Sequence, residues 1–238
     1  MGKTCLLVGA SGGIGVAIAN QLAKDGMQLV LHYNQNKEAI EQLERVLPFE
    51  SVLNVMQADL STNEGIQTFL SQTHPTYDAI VFVNGMAHNG LFQDTEEDVM
   101  DQMLSLHVKA IWMITKQFLP DMLQRKTGHI LLISSIWGEV GASCEVVYSS
   151  VKGAQNTFVK ALAKEVGRSG IRVNGISPGF IDTKMNRNLT EEEKKAIIEE
   201  IPLNREGLPD EVAHAVSFLM DKRSAYIHGE MMTVSGGW

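Results

Sequence analysis

A doubly wound α/β fold, one parallel β-sheet with helices on both faces, is what this sequence predicts. Three observations carry the prediction. Short apolar runs of strand length alternate with segments of helical period from end to end. Those runs are almost continuously apolar, as strands buried on both faces must be. The first of them passes straight into a glycine cluster that opens a helix. No linker, internal repeat or low-complexity tract interrupts the pattern, so residues 1–238 read as a single domain.

Taken in order, residues 3–9 predict a buried strand, 13–25 a helix, 27–33 a strand and 37–47 a helix. Strands follow at 51–57 and 79–84, with a helix at 63–72 between them. A long helical stretch covers 98–124, then a very apolar strand 129–135, a helix 148–168 and a strand 171–177. A helix with acidic first residues spans 210–221, and 230–234 closes as a strand. Residues 179–206 are polar and charged and contain the helix-like run TEEEKKAIIEEI. The plain reading is a solvated helix packed through Ile197, Ile198 and Ile201; its position favours a mobile lid over a substrate cleft.

Composition narrows the function classes. The formal charge of −8, from 28 acidic and 20 basic residues, disfavours a nonspecific nucleic-acid binder, which needs a basic face. Seven scattered histidines and two cysteines show no ligand spacing, so no metal is expected. Cys5 and Cys144 read as reduced thiols. No run approaches membrane-spanning length, and the opening MGKTCLLVGAS is too short for a signal peptide, so a cytoplasmic protein with no membrane partner is expected. Met100, Met103, Met113 and Met122 recur at helical spacing, which suits core or subunit packing.

The glycine cluster is Gly9-Ala10-Ser11-Gly12-Gly13-Ile14-Gly15. Glycines let the backbone turn tightly and approach a ligand unobstructed. The following helix aims free N–H groups and its positive dipole end at the turn, which suits a pyrophosphate. Between a first strand and a first helix, such a turn marks a Rossmann-type dinucleotide site. At the end of the second strand a carboxylate would hold the ribose 2′-hydroxyl of NAD. Here the segment reads His32-Tyr33-Asn34-Gln35-Asn36-Lys37, with no acid. Nothing there repels a 2′-phosphate, so NADP(H) is favoured over NAD(H), although these are also ordinary turn residues.

Tyr148 and Lys152 are four residues apart and share a helix face. A tyrosine phenol titrates near 10, and a neighbouring ammonium should lower that value and make it a usable acid for carbonyl reduction. Ser135 ends a buried strand, where its hydroxyl can hydrogen-bond a substrate oxygen. A tyrosine-lysine pair alone occurs often by chance; the serine and the glycine turn reverse those odds.

With GASGGIG, ISSIWG, YSSVKGA, RVNGISPGFIDT and the closing HGEMMTVSGGW in that order, the chain resembles the short-chain dehydrogenase/reductase family, in particular its 3-oxoacyl-acyl-carrier-protein reductase-like branch. The resemblance covers essentially the whole chain. It implies that Ser135 orients the carbonyl, Tyr148 donates the proton, and Lys152 binds the nicotinamide ribose and tunes Tyr148. It further implies nicotinamide-side contacts from Pro178, Gly179, Ile181 and Thr183, and contacts near the adenine from Asp59, Leu60, Asn84 and Gly85. The family pairs its long helices into dimers and tetramers, so a homo-oligomer is expected.

Four positions depart from the family pattern. Val8 stands where a threonine is usual, Asn84-Gly85-Met86-Ala87 replaces N-N-A-G, and Gly12 occupies the place of an arginine common in NADP-dependent relatives. His107 replaces the helix asparagine that helps hold a proton-relay water; it reads either as a relay group or as a histidine satisfied within a helix contact. The resemblance implies reduction of a 3-oxoacyl thioester, small or carrier-attached, with Arg125, Lys126, Arg168 and Arg187 as candidate carrier contacts. A keto modification on elongation factor P is an alternative substrate. A dinucleotide-binding sensor without catalysis is an alternative of another class, against which the intact Tyr148 and Lys152 argue.

Overall fold

The computed structural model describes residues 2–73, 76–186 and 189–238. Seven strands make one parallel sheet: β1 (Thr4–Val8), β2 (Gln28–Tyr33), β3 (Val52–Gln57), β4 (Ala79–Phe82), β5 (Gly128–Ile133), β6 (Ile171–Pro178) and β7 (Met231–Val234), in the order β3-β2-β1-β4-β5-β6-β7. The chain lays down β1 to β3 in one direction, then returns past β1 to place β4. The strand order therefore reverses between β1 and β4, and the crevice outside their carboxyl ends is where such sheets bind ligands.

Side-chain alternation divides the strands between two cores. Cys5 and Leu7 face one layer with Leu29 and Leu31, covered by α1 (Gly13–Lys24), α2 (Lys37–Val46) and α9 (Pro209–Met220) through Ile18, Leu43 and Val216. Leu6 and Val8 face the other with Val30 and Phe82, under α3 (Asn63–Gln72), α5 (Ala110–Arg125) and α7 (Val146–Val166) through Phe69, Phe118 and Val159. The predicted doubly wound fold is the one observed.

The long stretch expected at 98–124 is not one α-helix. α4 (Glu97–Leu104) passes through a π-helical turn, Ser105–Lys109, before α5 begins. Such turns widen the helix by one residue and cluster at functional sites; this one carries His107. A short helix, α6 (Trp137–Val140), was not anticipated and follows β5 after residues 134–136. In the segment 179–206, α8 (Glu191–Glu200) starts with a capping box between Thr190 and Glu193 and buries none of its own side chains. Ile197 and Ile198 are half-buried, and Ile201, just beyond the helix, is buried.

Both cysteines are free thiols; burial pushes Cys5 up to about 12. Among the described residues, no helix is long and apolar enough to cross a membrane.

Candidate active site

The crevice at the switch point is built from glycine geometry. Gly9 leaves β1 with φ +93°, and a Cβ there would stand 2.6 Å from the Asn84 nitrogen. A Cβ on Gly15 would lie 2.3 Å from the Gly9 oxygen, so the turn closes only with hydrogen at both places. The buried ring of His32 holds the turn from below. The Gly9 N–H donates to His32 Nδ1 at 3.2 Å, which leaves the proton on Nε2 to donate to the Ala58 carbonyl at 3.0 Å. Burial drives His32 down to about 4, fixing this neutral form.

Above the turn, Gly12 and Gly13 are exposed and Ser11 and Ile14 half-buried. No side chain caps α1 and its first turn carries no acid, so its free N–H groups remain available to an anion. Thr183, far along the chain, comes within reach of the turn: a Cβ on Gly13 would meet its methyl at 3.2 Å. Asn84 donates through Nδ2 to the Leu106 carbonyl at 2.7 Å, while its buried Oδ1 has no partner. That orphan acceptor, beside open glycines and an uncapped helix, fits a bound group with hydroxyls and phosphates.

The flanking positions fall at the same edge. Tyr33 and Asn34 are half-buried at the end of β2, and Asn36 donates to the Ser11 carbonyl at 3.3 Å. Lys37 forms an exposed 3.2 Å ion pair with Glu41. Asp59 is occupied locally, accepting from the Ser61 N–H and hydroxyl. Leu60 is a core side chain and presents no side-chain surface to a ligand. Pro178 ends β6, Gly179 hydrogen-bonds to the Val234 carbonyl, and Ile181 is buried with its carbonyl accepting from Asn186.

Ser135, Tyr148 and Lys152 converge on this edge. Ser135 lies two residues beyond β5 and is buried; its Oγ accepts the Trp137 N–H at 3.2 Å. Tyr148 is in the first turn of α7, and Lys152 one turn later reaches back under it. The Lys152 Nζ donates to the Ile133 carbonyl at 3.1 Å and sits 5.5 Å from the Tyr148 ring centre. Close helix packing makes this possible, since a Cβ on Gly138 would press 2.8 Å from the Lys152 backbone.

The electrostatics correct one expectation. Tyr148 is not acidified in this state: burial raises it to about 12, the Ser135 hydroxyl draws it down and the Glu145 carboxylate pushes it up. Lys152 is itself lowered to about 7 by complete burial. Desolvation is the leading cause at both groups and disfavours each charged form separately.

Of the two readings open for His107, the contacts favour a histidine held within the fold. Burial first, and then the nearby Lys152 charge, push it down to about 3, so it is neutral near pH 7 and cannot shuttle protons by becoming cationic. Its Nε2 bonds to the Met86 backbone at 3.0–3.1 Å, its Nδ1 is buried without a partner, and its ring meets Tyr148 edge-on at 5.8 Å. Gln155 donates to the His107 carbonyl at 2.8 Å. The carrier contacts fare differently again. Arg125 is engaged by Asp121 and Asp78. Lys126 and Arg168 are exposed but precede β5 and β6, at the edge opposite Ser135 and about 20 Å away along a six-residue strand. Arg187 lies outside the described residues.

Reading the sequence placed His32 and Asn36 at the end of the second strand but gave the His32 ring no role under the turn, and it missed Trp137, Gln155 and Asn156 as site residues. A lone histidine before the end of an apolar strand was the available signal for His32; Asn156, which accepts the Ser134 hydroxyl at 2.6 Å, looks in sequence like any helix polar residue.

A glycine-turn crevice with a serine, a tyrosine and a lysine at its side defines a nicotinamide-dependent oxidoreductase acting between a carbonyl and an alcohol. Comparison with known proteins agrees. A family model described as Enoyl-(Acyl carrier protein) reductase matches residues 9–238. The uncharacterized oxidoreductase YmfI of Bacillus subtilis (strain 168) is 46% identical over 240 residues, covering 100% of this chain and 99% of that protein. The 3-oxoacyl-[acyl-carrier-protein] reductase FabG of Rickettsia felis is 34% identical, covering 99% and 96%. A solved short chain dehydrogenase/reductase family protein superposes with a TM-score of 0.90 at 26% identity, covering 99% of this chain and 97% of that one. The chain belongs to the short-chain dehydrogenase/reductase family.

Proposed function

We propose that this enzyme uses NADPH to reduce a ketone to a secondary alcohol, and that the ketone is a 3-oxoacyl thioester. The observation that carries the reading is the convergence of Ser135, Tyr148 and Lys152 beside the glycine turn. Two further relatives support the substrate class: FabG, named above, and an acetoacetyl-CoA reductase of Allochromatium vinosum, 31% identical over 243 residues. The acid-free end of β2, where Asn36 bonds the Ser11 carbonyl and the exposed Lys37 follows it in the chain, supports the 2′-phosphorylated cofactor.

The cofactor would lie from Gly9–Gly15 past Tyr33, Asn34, Asp59, Asn84 and Gly85 to Pro178, Gly179, Ile181 and Thr183, and it supplies the hydride. The chain's own groups handle the oxygen and the proton. Ser135 and Tyr148 hydroxyls donate to the carbonyl oxygen, and a phenol held near 12 keeps its proton until an alkoxide develops. Once Tyr148 has given that proton to the alkoxide, its phenolate is an anion beside the buried Lys152 and favours the ammonium form of that amine, which takes its proton from water. His107 holds Met86 and edges the Tyr148 ring, which makes it a positioning residue. Residues 179–206 act as the lid over this edge.

The test is NADPH oxidation with acetoacetyl thioester, carrier-bound 3-oxoacyl groups and elongation factor P bearing a keto group, compared between wild type and Tyr148→Phe. The expected result is turnover of thioesters that falls at least a hundredfold in Tyr148→Phe while NADPH still binds. Cofactor binding without turnover of any ketone would overturn the reading in favour of a sensor.

A further inference from the structure

The chemistry above leaves the selection of substrate unassigned, and two tryptophans meet close to Ser135. Trp137 opens α6, two residues beyond Ser135, and its N–H donates to the Ser135 Oγ. Trp238 reaches it from the segment after β7. The two rings pack edge to face, centres 4.8 Å apart and planes at 72°, and both remain half-buried.

Trp238 is also tied to the segment 179–206. Gly236 and Gly237, at φ +69° and +92°, turn the backbone across its far end: their built Cβ atoms would lie 2.9 Å from Ile201 and 3.2 Å from Pro202. The Leu203 N–H donates to the Gly236 carbonyl at 3.1 Å, and the Trp238 indole N–H to Glu200 at 3.4 Å. Alongside the half-buried Ile197 and Ile198, these contacts fasten the end of α8 to the body of the protein. One continuous path of contact thus runs from Glu200 through Trp238 and Trp137 to the hydroxyl of Ser135.

We propose that Trp137 and Trp238 form the specificity wall of the substrate pocket, an aromatic surface that packs against the apolar chain carried by the ketone. Two indoles give a rigid apolar area at little entropic cost, and their position beside Ser135 places that area next to the carbonyl being held. A methylene covered by such a wall raises kcat/KM about fourfold. The inference rests on the ketone-reductase reading and adds to it the part of the substrate that is selected.

The experiment is a series of straight-chain 3-oxoacyl thioesters from acetoacetyl to 3-oxodecanoyl, with kcat/KM measured for wild type, Trp238→Ala, Trp238→Phe and Trp137→Phe. In wild type kcat/KM should climb about fourfold per methylene until the wall is covered. Trp238→Ala should flatten that climb, and Trp238→Phe should restore most of it. A Trp238→Ala variant that loses activity equally at every length, or keeps the wild-type climb, shows a structural clasp and overturns the proposal. A wild type that turns over no member of the series defeats the 3-oxoacyl thioester reading, and the wall for its acyl chain with it.

Discussion

Replacing Lys152 by methionine should make the protein more stable while abolishing its activity. Complete burial lowers this amine from 10.5 to about 7. At pH 7 the unfolded lysine is fully charged while the folded one has lost half its charge, a difference worth ~4 kcal/mol against folding. Methionine fills nearly the same volume without the charge, but it leaves the Ile133 carbonyl without the amine donor, an offset of about 1–3 kcal/mol. The net gain at pH 7 is therefore ~1–3 kcal/mol. The pH dependence is the sharper signature. Between pH 7 and 10.5 the unfolded chain binds more protons than the folded one, so the lysine's penalty fades as pH rises. By pH 9.5 it should have shrunk by ~3 kcal/mol, which cancels or reverses the methionine variant's advantage. Urea unfolding of both, without cofactor, at pH 7 and pH 9.5 measures this, and groups common to both cancel in the difference. A gap that stays constant across that range, or a methionine variant less stable at pH 7, would refute the assignment of a desolvated amine.

Two further expectations concern acid stability and assembly. His32, His107 and His129 are held at about 4, 3 and 4, each mainly by burial, against 6.5 when unfolded. Their neutral forms stabilise the fold fully above pH 6.5, and that contribution drains away as pH falls towards 4; thermal melts across this window should drop steadily, and a flat profile would contradict the burial. Trp112 is 51% exposed on α5 beside a hollow of about 580 Å³ lined by Gly153, Ala154 and Phe158 of α7, an apolar face suited to a second copy of the chain. Trp112→Glu should convert a homo-oligomer to monomer in light scattering, and a wild type already monomeric would dispose of the idea.

Much of the molecule was legible because its signals are periodic. Unbroken apolar runs identify strands covered on both sides, and the four-residue step from Tyr148 to Lys152 is a statement about one helix face. What stayed hidden depends on distances between segments remote in sequence. Spacing says that an amine lies near a phenol, but the sign of the pKa shift at Tyr148 depends on how much water each has lost, and here desolvation wins. The continuous helix expected at 98–124 breaks because a π turn is a register event that hydrophobic periodicity does not record. Lys126 and Arg168 resemble recognition residues until the sheet shows that they precede strands whose far ends hold the site.

The same geometry explains why the chemistry sits where it does. All seven strands run one way, so every strand-to-helix turn opens at one edge, and the order reversal between β1 and β4 leaves a gap there. Gly9, Asn84, Ser135 and Pro178 are each the first or second residue beyond a strand, or its last, so four separate segments deliver their groups to one line. Tyr148 and Lys152 come instead from α7, and Lys152 reaches that line by extending to the Ile133 carbonyl. The burial that weakens its charge thus follows from the route it takes, and a partner anion in the crevice is what the position lacks.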